Sequence, residues 1–312
     1  MSTRVFDFQM PPLTMGCGAR KQLPELARQF GRRVCVVSDA GMSAQPSFAE
    51  CLDDLRSAGL DVAAFTEVSP DPPIADAHKC VEAATAAQAE LLIGIGGGSA
   101  LDVTKITAVL LKHDCPIESL FGIGQAPGRG VPTILAPTTA GTGSEVTPIA
   151  ILSDEEAHLK RGIVSDFIIA DRAVVDPELC ITLPPGPTAY TGMDTLTHAI
   201  EAYTNKFAVQ MIDAFALETI RLVSQCLVRC VEQGNDIEAR SGMSLASLLG
   251  GMCLKSVNTA AVHALAYPLG GTFGVPHGIA NSLLLPHVIR FNAPVVGHRY
   301  EVIAKTMGSD DV

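Results

Sequence analysis

The first half of the sequence alternates between short apolar runs and longer segments with helical periodicity. Apolar runs occupy residues 33–38, 61–66 and 91–95, and helical patterns occupy residues 46–58 and 74–88. Short, continuously apolar runs are typical of strands that are buried on both faces of a parallel sheet. This alternation therefore predicts parallel strands joined by right-handed helical crossovers.

Further strands follow until a proline cluster interrupts the pattern. Residues 132–136 and 167–170 have strand character, whereas the prolines within residues 183–187 break regular structure. The later segments with a helical period are 189–204, 208–232, 236–255, a run from 259, and 300–307. We therefore expect an α/β domain over residues 1–184 and an all-α domain over residues 185–312.

Composition narrows the class of protein. A chain of 312 residues with 47% hydrophobic residues can bury a large core and is long enough for two domains. Its net charge of −11 argues against a nucleic-acid partner, because nucleic-acid affinity depends on Lys and Arg that neutralise phosphates. No run of 18 apolar residues is present, so we expect no membrane span.

The cysteines and the amino-terminal segment indicate a compartment. Nine cysteines, with no Cys-x-x-Cys pair, are typical of free thiols in a reducing environment. The first residues carry an early acid and lack the hydrophobic core of an export signal. We expect a cytoplasmic protein and, on the general prevalence of symmetric assemblies, a homo-oligomer such as a dimer.

A glycine-rich turn lies between the predicted strand at 91–95 and the helix after it. Gly96, Gly97, Gly98 and Ser99 would present backbone N–H groups at a helix amino terminus, where a pyrophosphate can bind. A tight strand-to-helix turn without a ligand explains the same glycines equally well. Two side chains on the first helical turn, those of Asp102 and Lys105, could reach a ligand or orient neighbouring groups.

A second polar loop strengthens the interpretation as a dinucleotide site. Residues 137–145 follow another predicted strand and offer small donors, among them Thr138, Thr139 and Thr142. Asp39, at the end of the strand 33–38, could accept hydrogen bonds from an adenosine ribose and would repel a 2′-phosphate. We therefore expect NAD(H) to be preferred over NADP(H).

One carboxylate and three histidines form the candidate metal site. Asp194 and His198 are four residues apart and would lie on one face of a helix, and His263 and His277 follow later. Three imidazoles and one carboxylate suit Fe²⁺, Zn²⁺, Ni²⁺ or Mn²⁺. Each residue taken alone is more simply a hydrogen-bonded core or surface residue, since an Asp-x-x-x-His spacing is common on helices.

The two loops and the histidine constellation together resemble the iron-containing (group III) alcohol dehydrogenase family. The resemblance runs from about residue 5 to the end and keeps the order and spacing of the motifs. It implies a dehydroquinate synthase-like architecture, with a Rossmann-like dinucleotide-binding domain, an all-helical domain, and a metal and nicotinamide that meet in a cleft. It also implies NAD(P)-linked hydride transfer between a small-molecule alcohol and its aldehyde or ketone, in which the metal polarises the substrate oxygen.

The resemblance assigns residues to roles. It implies that Asp194, His198, His263 and His277 bind the metal, Fe²⁺ with Zn²⁺ as the alternative, and belong with Tyr267 to the catalytic set. Together with the loop interpretation above, it gives a set of cofactor-binding residues: Asp39, Gly96, Gly97, Gly98, Ser99, Asp102, Thr138, Thr139, Thr142 and Lys160.

Two positions depart from the family pattern. Many relatives carry a histidine where this chain has Tyr267, and a phenol with a usual pKa near ~10 is a poorer base at neutral pH than imidazole. Asp71 stands where relatives commonly have asparagine. Family members usually continue for several further helices, so we expect a shortened helical domain whose core is partly exposed.

Alternative functions remain within and outside this superfamily. Glycerol dehydrogenase-like and maleylacetate reductase-like enzymes share the fold, and the latter work without metal. The four candidate ligands favour the alcohol dehydrogenase branch. An inactive, shortened subunit that only binds dinucleotide is the alternative from a different class.

Overall fold

The computed structural model describes residues 4–309, which form two compact units. The helical unit comprises the described parts of Met1–Met10, Ala140–Gly143 and Ile181–Val312, and the sheet unit comprises Pro11–Thr139 and Ser144–Cys180. The domain limits predicted above stay a prediction, and the chain ends at 1–3 and 310–312 lie outside the described residues.

A six-stranded parallel sheet forms the centre of the sheet unit. The strands of the unit are β1 (Leu13–Met15), β2 (Arg33–Asp39), β3 (Asp61–Val68), β4 (Leu91–Gly96), β5 (Gly122–Ile123), β6 (Thr133–Pro137), β7 (Ile149–Asp154), β8 (Leu159–Val164) and β9 (Arg172–Val175). The large sheet has the order β1-β9-β6-β4-β2-β3, and all its pairs are parallel. Every residue of β4 is buried, as the continuous apolar run predicts. The predicted α/β class is confirmed.

Five helices accompany these strands: α1 (Leu23–Arg28), α2 (Ala40–Ser43), α3 (Pro46–Ser57), α4 (Ile74–Ala86) and α5 (Gly98–Lys112). Gly59, just past α3, has φ +83°, a left-handed conformation that glycine adopts without steric penalty, and it ends the helix as predicted. In the sheet, Gly96 pairs with Pro137. The loops that follow β4 and β6 therefore leave the same edge of the sheet.

The strand predicted at residues 167–170 is wrong. The structure has a short 3-10 helix at Asp166–Ile168, and the strand β9 begins later, at Arg172. The backbone N–H of Phe167 donates to the Ser165 hydroxyl, which stabilises a turn instead of an extended chain. A second sheet, β5-β8-β7, was not predicted from the sequence.

The helical unit contains five long helices. They are α6 (Pro185–Thr204), α7 (Gln210–Glu232), α8 (Ile237–Ser256), α9 (Ala261–Phe273) and α10 (His277–Thr306). Fully buried side chains such as Ile212, Ala216 and Ile220 place the core along α7, where it packs against its neighbours. The all-α character expected beyond the proline cluster is confirmed. The last helix is longer than predicted and has non-helical backbone angles at Val296, two residues after Pro294.

None of the helices between residues 4 and 309 is, by itself, both long and apolar enough to cross a membrane. The pair α8 and α9 meets the length and composition test jointly, with a bend of 103° between the two helices.

Candidate functional site

One face of α6 carries three buried ionisable side chains. Asp194, His198 and Glu201 lie at positions i, i+4 and i+7, a spacing that aligns side chains along one stripe of a helix. All three are at least 95% removed from solvent. Burying charged groups is costly unless they are paired, so this stripe requires partners from elsewhere in the helical unit.

The partners are two histidines at helix starts. His263 lies in the first turn of α9, and His277 is the first residue of α10, directly after Pro276. Proline favours the extended conformation that precedes a helix, so it fixes the point at which α10 begins. The Tyr267 ring, one turn after His263, stacks on the His277 ring with centroids 5.9 Å apart.

Three imidazole nitrogens converge on one carboxylate oxygen. The distances from Asp194 Oδ1 to Nε2 are 3.8 Å for His198, 3.5 Å for His263 and 3.6 Å for His277. The His198 and His263 rings are stacked with centroids 4.8 Å apart. The ligand atoms of Asp194, His263 and His277 all lie within 4.8 Å of one another, a grouping that could hold a metal ion.

The electrostatics of this cluster reflect burial and mutual contact. Burial opposes ionisation of Asp194, yet the surrounding histidines hold the pKa of its carboxyl well below the usual range. For His198 burial prevails and lowers the pKa to about 4. Burial also disfavours charge on His263, but the hydrogen bonds that it donates to Asp194 and Glu201 raise its pKa to about 9. The cluster thus contains one firmly ionised carboxylate among imidazoles.

Two residues of the cluster were not predicted from the sequence. Glu201 Oε2 lies 2.6 Å from His263 Nδ1. The amide nitrogen of Asn281 donates to Asp194 Oδ1 over 2.7 Å and lies 3.2 Å from His263 Nε2 and 3.3 Å from His277 Nε2. Helical spacing offered the only signal: Glu201 follows His198 by three residues, and Asn281 follows His277 by four.

A divalent cation fits these residues. Ligand atoms of a tetrahedral shell with ~2.1 Å bonds lie roughly 3.4 Å apart, close to the Asp194–His separations. Within residues 4–309, the buried His198 Nδ1 and Asn281 Oδ1 have no hydrogen-bond partner, but the atoms that face Asp194 Oδ1 are His198 Nε2 and Asn281 Nδ2. A donor set of three nitrogens and one oxygen suits Fe²⁺ or Zn²⁺.

In the sheet unit, the glycine-rich turn joins β4 to α5. Gly97 is the N-cap of α5, and no side chain caps its first turn. A Cβ at Gly96 would lie 2.6 Å from Ala100 Cβ, and one at Gly97 would lie 3.3 Å from Thr139 Cγ2. The backbone at Gly96 is packed too closely for a side chain, and no side chain caps the N–H groups at the start of α5, as an anion cradle requires.

Asp39 and the threonine loop lie beside this turn. A Cβ added to Gly96 would be 3.1 Å from Asp39 Oδ2, whose other oxygen accepts from Met42 N and caps α2. Thr138 N donates to Gly96 O over 3.0 Å. Asp39, Gly96, Thr138 and Thr139 are therefore brought together at the carboxyl edge of the sheet, while Thr142 lies in the segment Ala140–Gly143 of the helical unit.

Asp102 and Lys105 point into the interior of the sheet unit. Asp102 accepts from Ser144 Oγ over 2.5 Å and from Ile151 N over 2.9 Å. Lys105 Nζ donates to Ser144 Oγ over 2.6 Å and to Ile149 O over 2.7 Å. These contacts match the second of the two possibilities stated above, in which the pair orients neighbouring groups.

Lys160 is connected to the glycine-rich turn through Asp71. Its Nζ is 2.5 Å from Asp71 Oδ1, and Asp71 N donates to Ser99 Oγ over 3.2 Å. Asp71 has φ +51°, a left-handed conformation that aspartate tolerates better than most residues. The ion pair therefore ties the β7–β8 hairpin to the turn after β4.

Comparison with known proteins identifies the family. The chain matches the iron-containing alcohol dehydrogenase model over residues 11–177 and the Fe-containing alcohol dehydrogenase C-terminal model over 188–311. It is 42% identical to long-chain-alcohol dehydrogenase 1 of Geobacillus thermodenitrificans, over 90% of this chain and 72% of that protein. It is 36% identical to 1,3-propanediol dehydrogenase of Klebsiella pneumoniae, over 99% and 81%.

Solved structures agree with these matches. A 1,3-propanediol oxidoreductase structure superposes with a TM-score of 0.95 at 36% identity, over 98% of this chain and 81% of that one. Alcohol dehydrogenase from Oenococcus oeni gives a TM-score of 0.95 at 32% identity, with the same coverage. The chain belongs to the iron-containing alcohol dehydrogenase family of oxidoreductases.

Proposed function

We propose that this chain carries out NAD-linked interconversion of an alcohol and its aldehyde or ketone at a divalent-metal site, Fe²⁺ by preference, held by Asp194, His198, His263 and His277. The observation that carries the proposal is the approach of three imidazole Nε2 atoms to one carboxylate oxygen at 3.5–3.8 Å. When bound, the cation supplies Lewis acidity toward the substrate oxygen, and the nicotinamide supplies or accepts the hydride.

The residues of the chain have distinct parts in this proposal. Asp194 contributes a buried negative charge that favours a cation over a neutral ligand. Because neutral imidazole nitrogens are the form that binds metal, His198, whose burial lowers its pKa to about 4, is held ready to bind at neutral pH. His277, the more exposed of the histidines, lies on the side of the cluster from which solvent reaches it.

Metal analysis tests the central claim. Protein purified under anaerobic conditions should contain about one metal per chain, and NADH oxidation with a panel of aldehydes should disappear on chelation and return with Fe²⁺ or Zn²⁺. Asp194→Ala should lose at least about 10³-fold in turnover, since the Lewis acid contributes several kcal/mol. Its NADH dissociation constant should stay within about twofold. Folded wild-type protein that binds NADH but neither metal nor aldehyde would contradict the proposal.

The cofactor preference is assigned to Asp39. Its carboxylate lies beside Gly96 at the carboxyl edge of the sheet, where it would accept from ribose hydroxyls and repel a 2′-phosphate. Asp39→Asn keeps a capping side chain for α2 but removes the charge, so the ratio of kcat/KM for NADPH to that for NADH should rise roughly fivefold to tenfold. Asp61→Asn, at the exposed start of β3, makes the same charge change elsewhere and should leave the ratio unaltered.

Tyr267 is assigned a place in proton transfer. Its ring stacks on His277, so a phenol hydroxyl stands at the rim of the cluster where relatives commonly have an imidazole. Tyr267→Phe keeps the stacked ring and removes the hydroxyl. A fall in kcat of about tenfold or more would support proton relay through this oxygen. Unchanged kcat would leave the residue with ring stacking alone.

The cellular setting and assembly complete the proposal. All nine cysteines are free thiols, which suits the reducing cytoplasm. We expect a homodimer, because closed symmetric assemblies predominate among soluble enzymes. Native mass measurement at micromolar concentration distinguishes a dimer from a monomer.

A further inference from the structure

Glu201 contacts the amino-terminal end of α9 through three hydrogen bonds. Its carboxylate accepts from His263 Nδ1 over 2.6 Å, from Val262 N over 2.6 Å and from Ala260 N over 3.0 Å. The side chain is buried, with 3% of it exposed. A buried carboxylate with three donors is strongly held, and it holds its donors equally strongly.

We propose that Glu201 is a positioning residue for the metal centre, which fixes the orientation of the His263 imidazole and thereby sets the metal affinity. The inference rests on the metal site proposed above. Glu201 itself lies on the far side of the imidazole from Asp194, because it contacts Nδ1 whereas Asp194 lies near Nε2. It therefore acts through His263 and not as a ligand.

The chemistry of the contact fixes which nitrogen is offered to a metal. An ionised carboxylate can only accept, so the hydrogen bond places a proton on His263 Nδ1. In the neutral imidazole that binds a metal, the lone pair is then on Nε2, which lies 3.5 Å from Asp194 Oδ1. Carboxylate–histidine pairs of this kind also increase the basicity of the imidazole toward a metal.

The same carboxylate also anchors the backbone that carries His263. The N-cap of α9 is Ala260, whose methyl side chain cannot accept a hydrogen bond. Glu201 replaces the missing cap, since it accepts from Ala260 N and Val262 N at the positive end of the helix dipole. Ring and backbone of His263 are thus held by one group on α6.

A contrast within the cluster supports the assignment. His198 Nδ1 is buried and has no hydrogen-bond partner within residues 4–309, so no carboxylate orients that ring through Nδ1. His198 sits on α6 itself, next to Asp194, and its position is fixed by helix geometry. His263 comes from a different helix and needs a contact that ties its ring to α6. Glu201 supplies that contact.

The test compares Glu201→Gln with a matched control, Asp236→Asn. Asp236 caps α8 in the same unit and accepts a hydrogen bond from Ala239 N. Its substitution by asparagine replaces one carboxylate with an amide at a position that does not contact the histidines. The readouts are the Co²⁺ dissociation constant from chelator competition, the Co²⁺ d–d absorption spectrum, and thermal unfolding of the metal-free protein. Glu201→Gln should weaken Co²⁺ binding about 10- to 100-fold and shift the spectrum. Asp236→Asn should lower thermal stability and leave both metal readouts within about twofold of wild type.

A double-mutant cycle separates positioning from a general structural role. In a His263→Ala background, the further change Glu201→Gln should alter the Co²⁺ dissociation constant less than about twofold, because its effect passes through the missing ring. An additive loss would overturn the inference. So would unchanged Co²⁺ affinity in folded Glu201→Gln.

The outcomes also distinguish this inference from the proposed function. Wild type that binds no Co²⁺, or that binds it as tightly when Asp194 is alanine, would overturn the metal site and the inference together. Wild type that binds Co²⁺ at Asp194 and is indifferent to Glu201 would overturn the inference alone. If Glu201→Gln does not fold, Glu201→Asp replaces it in the same measurements. This substitution retains the negative charge but shortens the side chain by one methylene, which moves the carboxylate away from His263.

Discussion

Two polar clusters, one in each unit, offset the free-energy cost of burying charged groups in different ways. The lysine cluster of the sheet unit consists of Asp102, Lys105, Ser144 and Glu145. The histidine cluster of the helical unit consists of Asp194, His198, His263 and His277. Most of these side chains are buried, and the partly exposed ones are Asp102, with 14% of its side chain exposed, and His277, with 24%. The lysine cluster contains its own cation, whereas the histidine cluster offers a carboxylate and imidazole nitrogens.

The hydrogen bonds show the difference directly. Lys105 Nζ has three protein acceptors, Ser144 Oγ, Thr147 Oγ1 and Ile149 O, which match its three protons. Burial lowers the pKa of Lys105 and raises that of Asp102, and the attraction between the two opposes both shifts. The lysine cluster is therefore closed. Burial alone does not mark a ligand site; a buried carboxylate approached by several imidazole nitrogens does.

The largest expected effect is the removal of the internal cation. Lys105→Met keeps an unbranched chain but leaves Asp102 buried without its partner, so the free energy of unfolding should fall by about 3–5 kcal/mol. Urea denaturation followed by circular dichroism measures the change. Lys112→Met, on the exposed end of the same helix, should change it by less than about 0.5 kcal/mol.

An equal effect of both lysine substitutions would remove the contrast between the clusters, because it would show that the buried ammonium adds nothing specific. A loss confined to Lys105→Met would establish the lysine cluster as structural.

The next largest effect is the response of the histidine cluster to an external cation. Metal that binds only the folded state stabilises it by about 2.7 kcal/mol at a concentration of 100 times the dissociation constant. Addition of Zn²⁺ or Co²⁺ to metal-free wild type should raise the unfolding free energy by this order, and a chelator should reverse the gain. Asp194→Ala should abolish the gain, and any folded Lys105→Met protein should retain it.

A metal-induced gain that survives Asp194→Ala would place the cation elsewhere. If the metal-induced increase in the free energy of unfolding vanished in Lys105→Met, the two clusters would not be independent of each other.

The sequence predicted the parts of both clusters that depend on local periodicity. Asp194 and His198 could be placed on one face because helical spacing is a local property. The strand β4 and the start of α5 could be placed because a fully buried parallel strand is a continuous apolar run. The parallel sheet followed from the same alternation, whereas its strands β1 and β9 were not placed.

What the sequence could not predict depends on packing between distant segments. Glu201 resembles an ordinary surface glutamate until α9 is placed against α6, since its three donors lie about 60 residues away. Asp102 was expected to reach a ligand or to orient neighbouring groups, and its contact with Ile151 N could not be foreseen because the strand β7 was not predicted. The apolar residues before β9 suggested a strand. A capped 3-10 turn can also bury apolar side chains, so apolar character alone did not distinguish the two structures.

The smallest of these effects concerns Glu145 in the lysine cluster, whose ionisation should make the free energy of unfolding depend on pH. Burial raises the pKa of the Glu145 carboxyl to about 7, against an ordinary value of 4.5. The folded state then holds a proton that the unfolded state has lost between these values. The stability that this protonated group contributes is complete below about pH 4.5 and is lost as the pH rises through about 7. Glu145→Gln imitates the protonated form, so it should be as stable as wild type near pH 4.5 and more stable by about 2–3 kcal/mol at pH 8.

Urea denaturation of wild type and Glu145→Gln at the two pH values measures this difference, with Glu155→Gln, in the exposed turn between β7 and β8, as the control that should change little at either pH. A difference between wild type and Glu145→Gln that is the same at both pH values would show that Lys105 keeps Glu145 ionised throughout. In that case two ionised carboxylates, those of Asp102 and Glu145, would face the single ammonium of Lys105. The hydroxyl and carbonyl acceptors around Lys105 would then stabilise the lysine cluster more than charge balance does.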